Sequence, residues 1–207
     1  MITHFISEIH MARQYEDTET RRRQVAEAAL RTIAEDGASN FTTRAIAGRV
    51  GISDGTLFRH FGSKKEIVLE AMGLLEVEIL SSLISKGDAL LDVEAFFRYR
   101  AAFVGAEGSV GRLIFSDGLN HLAGDEGRVV IERWRSVSLQ YLLQRLSKLK
   151  ESGRFADNVD VPTVSMLIQG SLLTFAMQAS LGRGGTSATL HAQIDHAWAS
   201  LRNLLFV

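Results

Sequence analysis

One proline in 207 residues, Pro162, is the feature that most restricts how this chain can fold. Sheet-rich folds need frequent turn punctuation, so a nearly proline-free chain favours helices. The composition is 46% hydrophobic and 23% charged, an ordinary globular profile long enough for one large domain or a small one joined to a larger one. The absence of cysteine excludes disulfides, thiol catalysis and cysteine-held metal, and fits a reducing compartment. Net charge is −1, so any attraction to nucleic acid must come from a local patch.

Apolar spacing, capping residues and glycine stops predict an all-α chain of about nine helices, near 20–36, 43–50, 54–61, 63–83, 92–105, 110–122, 125–152, 162–181 and 187–205. The segment MITHFISEIHMAR has no continuous apolar core and is broken by Glu8, so it reads as a frayed arm and not as a signal peptide. Between Val161 and Gly182 there is no charge, yet Ser165, Gln169, Ser171, Thr174, Gln178 and Ser180 are scattered through it. A membrane span wants about 20 predominantly apolar residues. This stretch reads instead as a helix buried on nearly all sides.

The most informative stretch is FTTRAIAGRVGISDGTLFRHFGSKKEIVLEAM, which begins at Phe41. Thr42 and Thr43 both suit a helix N-cap, Gly51 supplies a left-handed turn, and Ser53 caps a short third helix that Gly62 ends. Ser63 and Glu66 form a capping box for the fourth. Helix, three-residue glycine turn, helix is the helix-turn-helix pattern, here about 42–61. From Thr18 to Lys65 there are nine Lys/Arg against five Asp/Glu, an excess of four on a chain whose total is −1. A basic head on a near-neutral molecule is the electrostatic footprint of one end that touches DNA.

Residues 20–72 resemble the tetracycline-repressor (TetR) family of regulators: the hydroxyl pair, the Val-Gly-Ile-Ser turn, the Gly-Thr-Leu-aromatic run, the His-Phe and the Gly-Ser-Lys match in order and spacing. The resemblance implies a three-helix DNA-binding domain at 18–76 and a larger helical ligand-binding and dimerisation domain at 77–207. It assigns Thr42, Thr43, Arg44, Ser53, Asp54, Gly55, Thr56, Phe58, Arg59, His60 and Lys64 to DNA. Thr43 and Arg44 open a helix whose amides and dipole favour a phosphate. Lys64 and His60 serve as phosphate contacts, and Thr56 as a thymine-methyl or phosphate contact. Arg59 is the candidate for bidentate reading of guanine. Phe58 departs from the family's frequent tyrosine and cannot donate a hydrogen bond, and it fits core as well as interface. Thr43 and Ser53 also serve as plain caps.

In the second half, Phe96, Phe97, Phe103, Phe115, Trp134, Met166, Gln169 and Phe175 are the candidate lining of an effector cavity, although such residues at helical spacing also make ordinary core. Asp117, Asn120 and His121 share a helix face and offer a polar anchor. The charge-free helix and the near-heptad seam of the last one nominate Leu173, Met177, Leu190, Ile194, Trp198 and Leu201 for a homodimer interface. Two recognition helices one DNA turn apart then read a palindromic operator. The expected function is a cytoplasmic, nucleoid-associated repressor released by a small apolar or amphipathic effector. The competing reading is a helical small-molecule-binding protein whose helix-turn-helix has lost specific DNA recognition. No nucleophile elbow, phosphate loop or metal-ligand spacing occurs, so neither catalysis nor a cofactor is expected.

Overall fold

The computed structural model describes residues 2–106, 117–156 and 159–207, with side chains from residue 18 onward except 117, 118 and 120. Their helices are α1 (Ile2–Asp36), α2 (Thr43–Val50), α3 (Asp54–His60), α4 (Lys64–Ser81), α5 (Ala89–Gly105), α6 (Asp117–Glu151), α7 (Val161–Ser180) and α8 (Ser187–Leu205). Among the described residues the one departure from helix and loop is an antiparallel bridge between Phe155 and Phe206, which fastens the last residues to the loop after α6. No described helix is long and apolar enough to cross a membrane.

Most helix starts follow from caps. The Thr42, Ser53, Ser63, Asp160 and Thr186 side chains each accept a backbone N–H of the following first turn. Two expectations need correction. The N-terminal segment is not a frayed arm but part of α1, since 2–36 contains neither glycine nor proline to interrupt the ladder. Helix α5 starts at Ala89 and not at 92, because Asp88 caps the amides of Leu90 and Leu91 at 2.8 and 3.0 Å. Asp92 is buried one turn in and holds the preceding loop. The two helices expected either side of Gly124 form α6, broken at that glycine by φ 65° and ψ −151°. Most of the expected 110–122 helix, Phe115 included, lies outside the described residues.

Two apolar cores result. One gathers Val25, Ile33, Ile46, Leu57, Phe61, Ile67, Leu75 and Ile79 from α1–α4 with Leu119, Ile131 and Trp134 of α6. The other gathers Phe96, Phe97 and Val104 of α5, Leu142 to Leu149 of α6, Val164 to Ala176 of α7 and Leu190, Ile194 and Trp198 of α8. Helix α6 contributes to both, and α4 reaches from the first core to the edge of the second.

Candidate nucleic-acid interface

Helix α3 is only seven residues long, and Leu57 is its one buried side chain. With Phe61 just beyond its end, Leu57 presses the helix onto the first core. At 100° per residue Asp54, Gly55, Phe58 and Arg59 then share the opposite face, and all four are exposed. Phe58 is 50% exposed, which places it on that outer face and not in the core. Thr56 is half-buried: its hydroxyl lies 3.0 Å from the Ser53 hydroxyl and accepts from Arg59 Nη2 at 3.3 Å. The turn before α3 is set by Gly51 in the left-handed region at φ 74°, its N–H closing on the Ala47 and Gly48 carbonyls.

The basic head is smaller than its charge count. Arg22 does not face outward. It donates to Glu66 at 2.9 Å, to Glu70 at 2.8 Å and to the carbonyl of His60, with its guanidinium 4.3 Å from the centre of the Phe61 ring. These bonds sew α1 to the end of α3 and the first two turns of α4, and the Glu70 and Glu66 carboxylates raise the Arg22 pKa further. Arg49 is likewise spent on Glu35 and Asp36 at 2.8 Å each. Arg23 and Arg31 share Glu27, and Lys65 pairs with Glu126. Among the described residues Arg44, Arg59 and Lys64 have no carboxylate partner, and all three are exposed. They belong to the starts of α2 and α4 and the outer face of α3. Lys64 is steered by the Phe41 ring, 4.8 Å below its ammonium. Glu66 accepts the Gly62 N–H at 2.7 Å while its own N–H goes to Ser63, so the capping box forms one residue earlier than expected on its return bond. The Gly62 amide and then Arg22 hold the Glu66 carboxyl below the ordinary range. Thr43 and His60 are half-buried beside this surface, and Thr42 and Ser53 cap its two helices.

A cavity of about 120 Å³ lies in the second half, walled by α4, α5, α6 and α7. Of the expected lining residues, Phe96, Trp134 and Gln169 are there. Phe97 and Phe175 are buried in an aromatic cluster with Trp198, at ring separations of 6.3 and 5.7 Å. Phe103 stacks on Tyr99 at 6.2 Å. Met166 does not line it: this residue is 66% exposed on the opposite face of α7. Asp117 and Asn120 have no described side chains, and His121 is exposed away from the cavity lining. The lining residues that the sequence reading did not nominate include the polar ones Arg100, Arg135 and Ser138. Arg100 stands four after Phe96 and four before Val104, inside the apolar stripe of α5, and a charge at such a position is a legible sign of burial.

The expected dimer seam divides. Leu173 and Met177 are 43% and 57% exposed, on the same face of α7 as Met166 and Leu181. Leu190, Ile194 and Trp198 are not available to a partner, because they fill the chain's own second core, and Leu201 is half-buried beside them. The apolar period of α8 reports that core; the outer residue it leaves exposed is Leu204.

Comparison with known proteins gives a consistent picture. Residues 25–71 match the model of the bacterial regulatory proteins of the tetR family. A nucleoid occlusion factor, SlmA of Vibrio cholerae, is 25% identical over 191 residues, 87% of this chain and 93% of its own. The HTH-type transcriptional regulator PksA of Bacillus subtilis is 38% identical over 63 residues, 30% of this chain and 31% of its own. The ketosteroid transcriptional regulator KstR2 of Mycobacterium tuberculosis superposes with a TM-score of 0.72 at 24% identity, covering 90% of this chain and 95% of that one.

Proposed function

We propose, since this chain belongs to the tetR family of bacterial regulatory proteins, that it is a ligand-responsive repressor binding a palindromic operator as a homodimer. The observation that carries this is the outer face of α3: Asp54, Gly55, Phe58 and Arg59 project together while Arg22 fastens the helix from behind. Arg59 reads a base edge, and Arg44 and Lys64 position the head on phosphates. The DNA-binding head is 18–76 and the ligand-binding body 77–207, with the boundary inside α4. The α7 face bearing Met166, Leu173, Met177 and Leu181 supports a second copy as its cover, giving the two-fold pair of heads that a palindrome requires.

Helix α4 offers a route from cavity to head. Lys64 opens it, and Ile79 near its end lines the cavity. A ligand that binds best to a conformer with α4 displaced changes the spacing of the two heads, and by linkage DNA weakens that ligand's binding equally.

Fluorescence anisotropy tests this, with duplexes from DNA flanking the protein's own gene and a scrambled control at two salt concentrations. Sequence-selective, salt-sensitive binding by a dimer is expected. Equal, weak binding to every duplex overturns operator recognition. The likeness to a nucleoid occlusion factor along most of the chain favours a second reading, a DNA-binding factor acting in nucleoid occlusion. Mapping bound sites across the genome separates the two: promoter sites support regulation, and sites scattered away from promoters support occlusion.

A further inference from the structure

The cavity has an electrostatic peculiarity. Arg100 is 8% exposed, and its bonds go to neutral acceptors only: Nε to the Ser82 hydroxyl at 2.9 Å, Nη2 to the Ile79 carbonyl at 2.9 Å and to the Ser138 hydroxyl at 3.0 Å. Among the described residues no carboxylate pairs with it and no Asp or Glu lines the cavity, whose second charged residue is Arg135. Beside it stands Trp134, 2% exposed, whose indole Nε1 is the one buried side-chain polar atom without a hydrogen-bond partner among the described residues. A buried cation without a counter-ion and an orphaned donor in one wall are both costly to keep. They are explained together by one acceptor that none of the described residues supplies. Burial pushes the Arg100 guanidinium down to about 10, so it keeps its charge at neutral pH.

We propose that this cavity binds a small organic carboxylate, its anionic head on Arg100 and the Trp134 indole N–H and its apolar body against Phe96, Val104, Leu142 and Leu172. The apolar wall argues against a bare inorganic anion, which would leave those side chains facing empty space or water. The volume sets the size. A cavity of about 120 Å³ is somewhat smaller than the roughly 150 Å³ site that accommodates benzene. The enclosed part of the occupant is therefore no larger than a single ring or a chain of about six carbons with the carboxyl included, and a larger body has to project through the open side of the cavity. This inference rests on the ligand-responsive reading above and names the chemistry of its ligand.

The test is titration calorimetry of the full chain with benzoate, phenylacetate and hexanoate, against their neutral counterparts benzamide, phenylacetamide and hexanamide, and against inorganic phosphate. At least one carboxylate is expected to bind tenfold or more tighter than its amide and than phosphate. Trp134→Phe keeps an aromatic side chain and removes the N–H, so it is expected to weaken that carboxylate about fivefold and its amide by less, which lowers the selectivity between them. Arg100→Lys, which retains the charge but not the fork, is expected to weaken it further. Equal binding of acids and amides, tightest binding by phosphate, no binding by any acid, or a Trp134→Phe variant with unchanged selectivity would each overturn the proposal. Anisotropy with operator DNA in saturating carboxylate is read separately. Carboxylate binding without DNA release leaves the site standing and removes the repressor-release reading; DNA binding without carboxylate selectivity does the reverse.

Discussion

Arg22 and Arg59 are both basic residues of the first three helices, yet Arg22 is bonded to Glu66, Glu70 and the His60 carbonyl while Arg59 stays exposed. Arg59 is exposed with no carboxylate partner among the described residues, so Arg59→Ala is expected to cost about 1–3 kcal/mol on the operator and to relax one position. Lys64→Ala is expected to weaken all duplexes alike and to lower the salt slope by about one unit, both read by anisotropy across a salt series. Arg22 holds α3 in place, and hydrogen bonds to charged partners are worth about 1.5–3 kcal/mol where they are sheltered. Its side chain is 26% exposed and its glutamates more so, which argues for the lower end. Arg22→Ala is expected to lower the urea midpoint and to weaken operator and random DNA in parallel; operator-only weakening would mean that it reads bases. Asp92 is the corresponding clamp of the second half. Burial alone would raise its pKa, but the Lys86 N–H, the Ser85 hydroxyl and Arg145 together hold it below the usual carboxylate value. The folded state then binds fewer protons than the unfolded one near pH 4. The stability it contributes is present above the unfolded value of about 3.9 and is lost as pH falls through the depressed one. Urea titrations from pH 6 to 3 are expected to show that fall in the wild type and a flatter profile in Asp92→Asn.

At the scale of elements, the turn between α2 and α3 depends on one residue's backbone. Gly51 sits at φ 74° with open space where a Cβ would go, so steric room is not its purpose. Conformation is, and a β-branched replacement meets a left-handed penalty of about 1–2 kcal/mol or more. Gly51→Val is expected to lose at least that in urea denaturation, with DNA affinity falling as α3 is re-aimed; an unchanged midpoint would place the turn's stability elsewhere. Helix α7 is uncharged for two different reasons on its two sides. Val164, Ile168, Leu172 and Phe175 pack on the chain's own core, whereas Met166, Leu173, Met177 and Leu181 stay exposed. A sequence read only for polarity sees one apolar helix there.

For the whole molecule, the exposed α7 face predicts the assembly. The double variant Leu173→Glu, Met177→Glu is expected to sediment as a folded monomer and to lose operator affinity by at least tenfold, while the affinity of one head for phosphates persists. Trp198→Ala is the contrasting case. It empties part of the second core, so it is expected to cost about 3–5 kcal/mol of stability, read by denaturation at fixed protein concentration. Were Trp198→Ala to dissociate a dimer without loss of stability, the division between core and seam drawn here would be wrong.

The all-helical architecture, the bounds of α2 and α3 and the caps of α2, α3 and α4 are legible in the sequence, because each is a local matter. Hydroxyl caps, a positive-φ glycine and apolar periodicity act within a few residues of themselves. Which charges remain available was not legible, since Arg22 meets Glu66 and Glu70 across more than forty positions of chain, at separations of 44 and 48. The same holds for the seam and the cavity. Apolar spacing on α8 reports that a face is buried but not against what, so it nominates Leu190, Ile194 and Trp198 for an interface although they fill the core. Arg100 and the unpartnered Trp134 N–H acquire their meaning only from four helices converging on one space. Local chemistry is written in sequence neighbours; the partner of a buried group is chosen by packing, and that was decided in the tertiary structure alone.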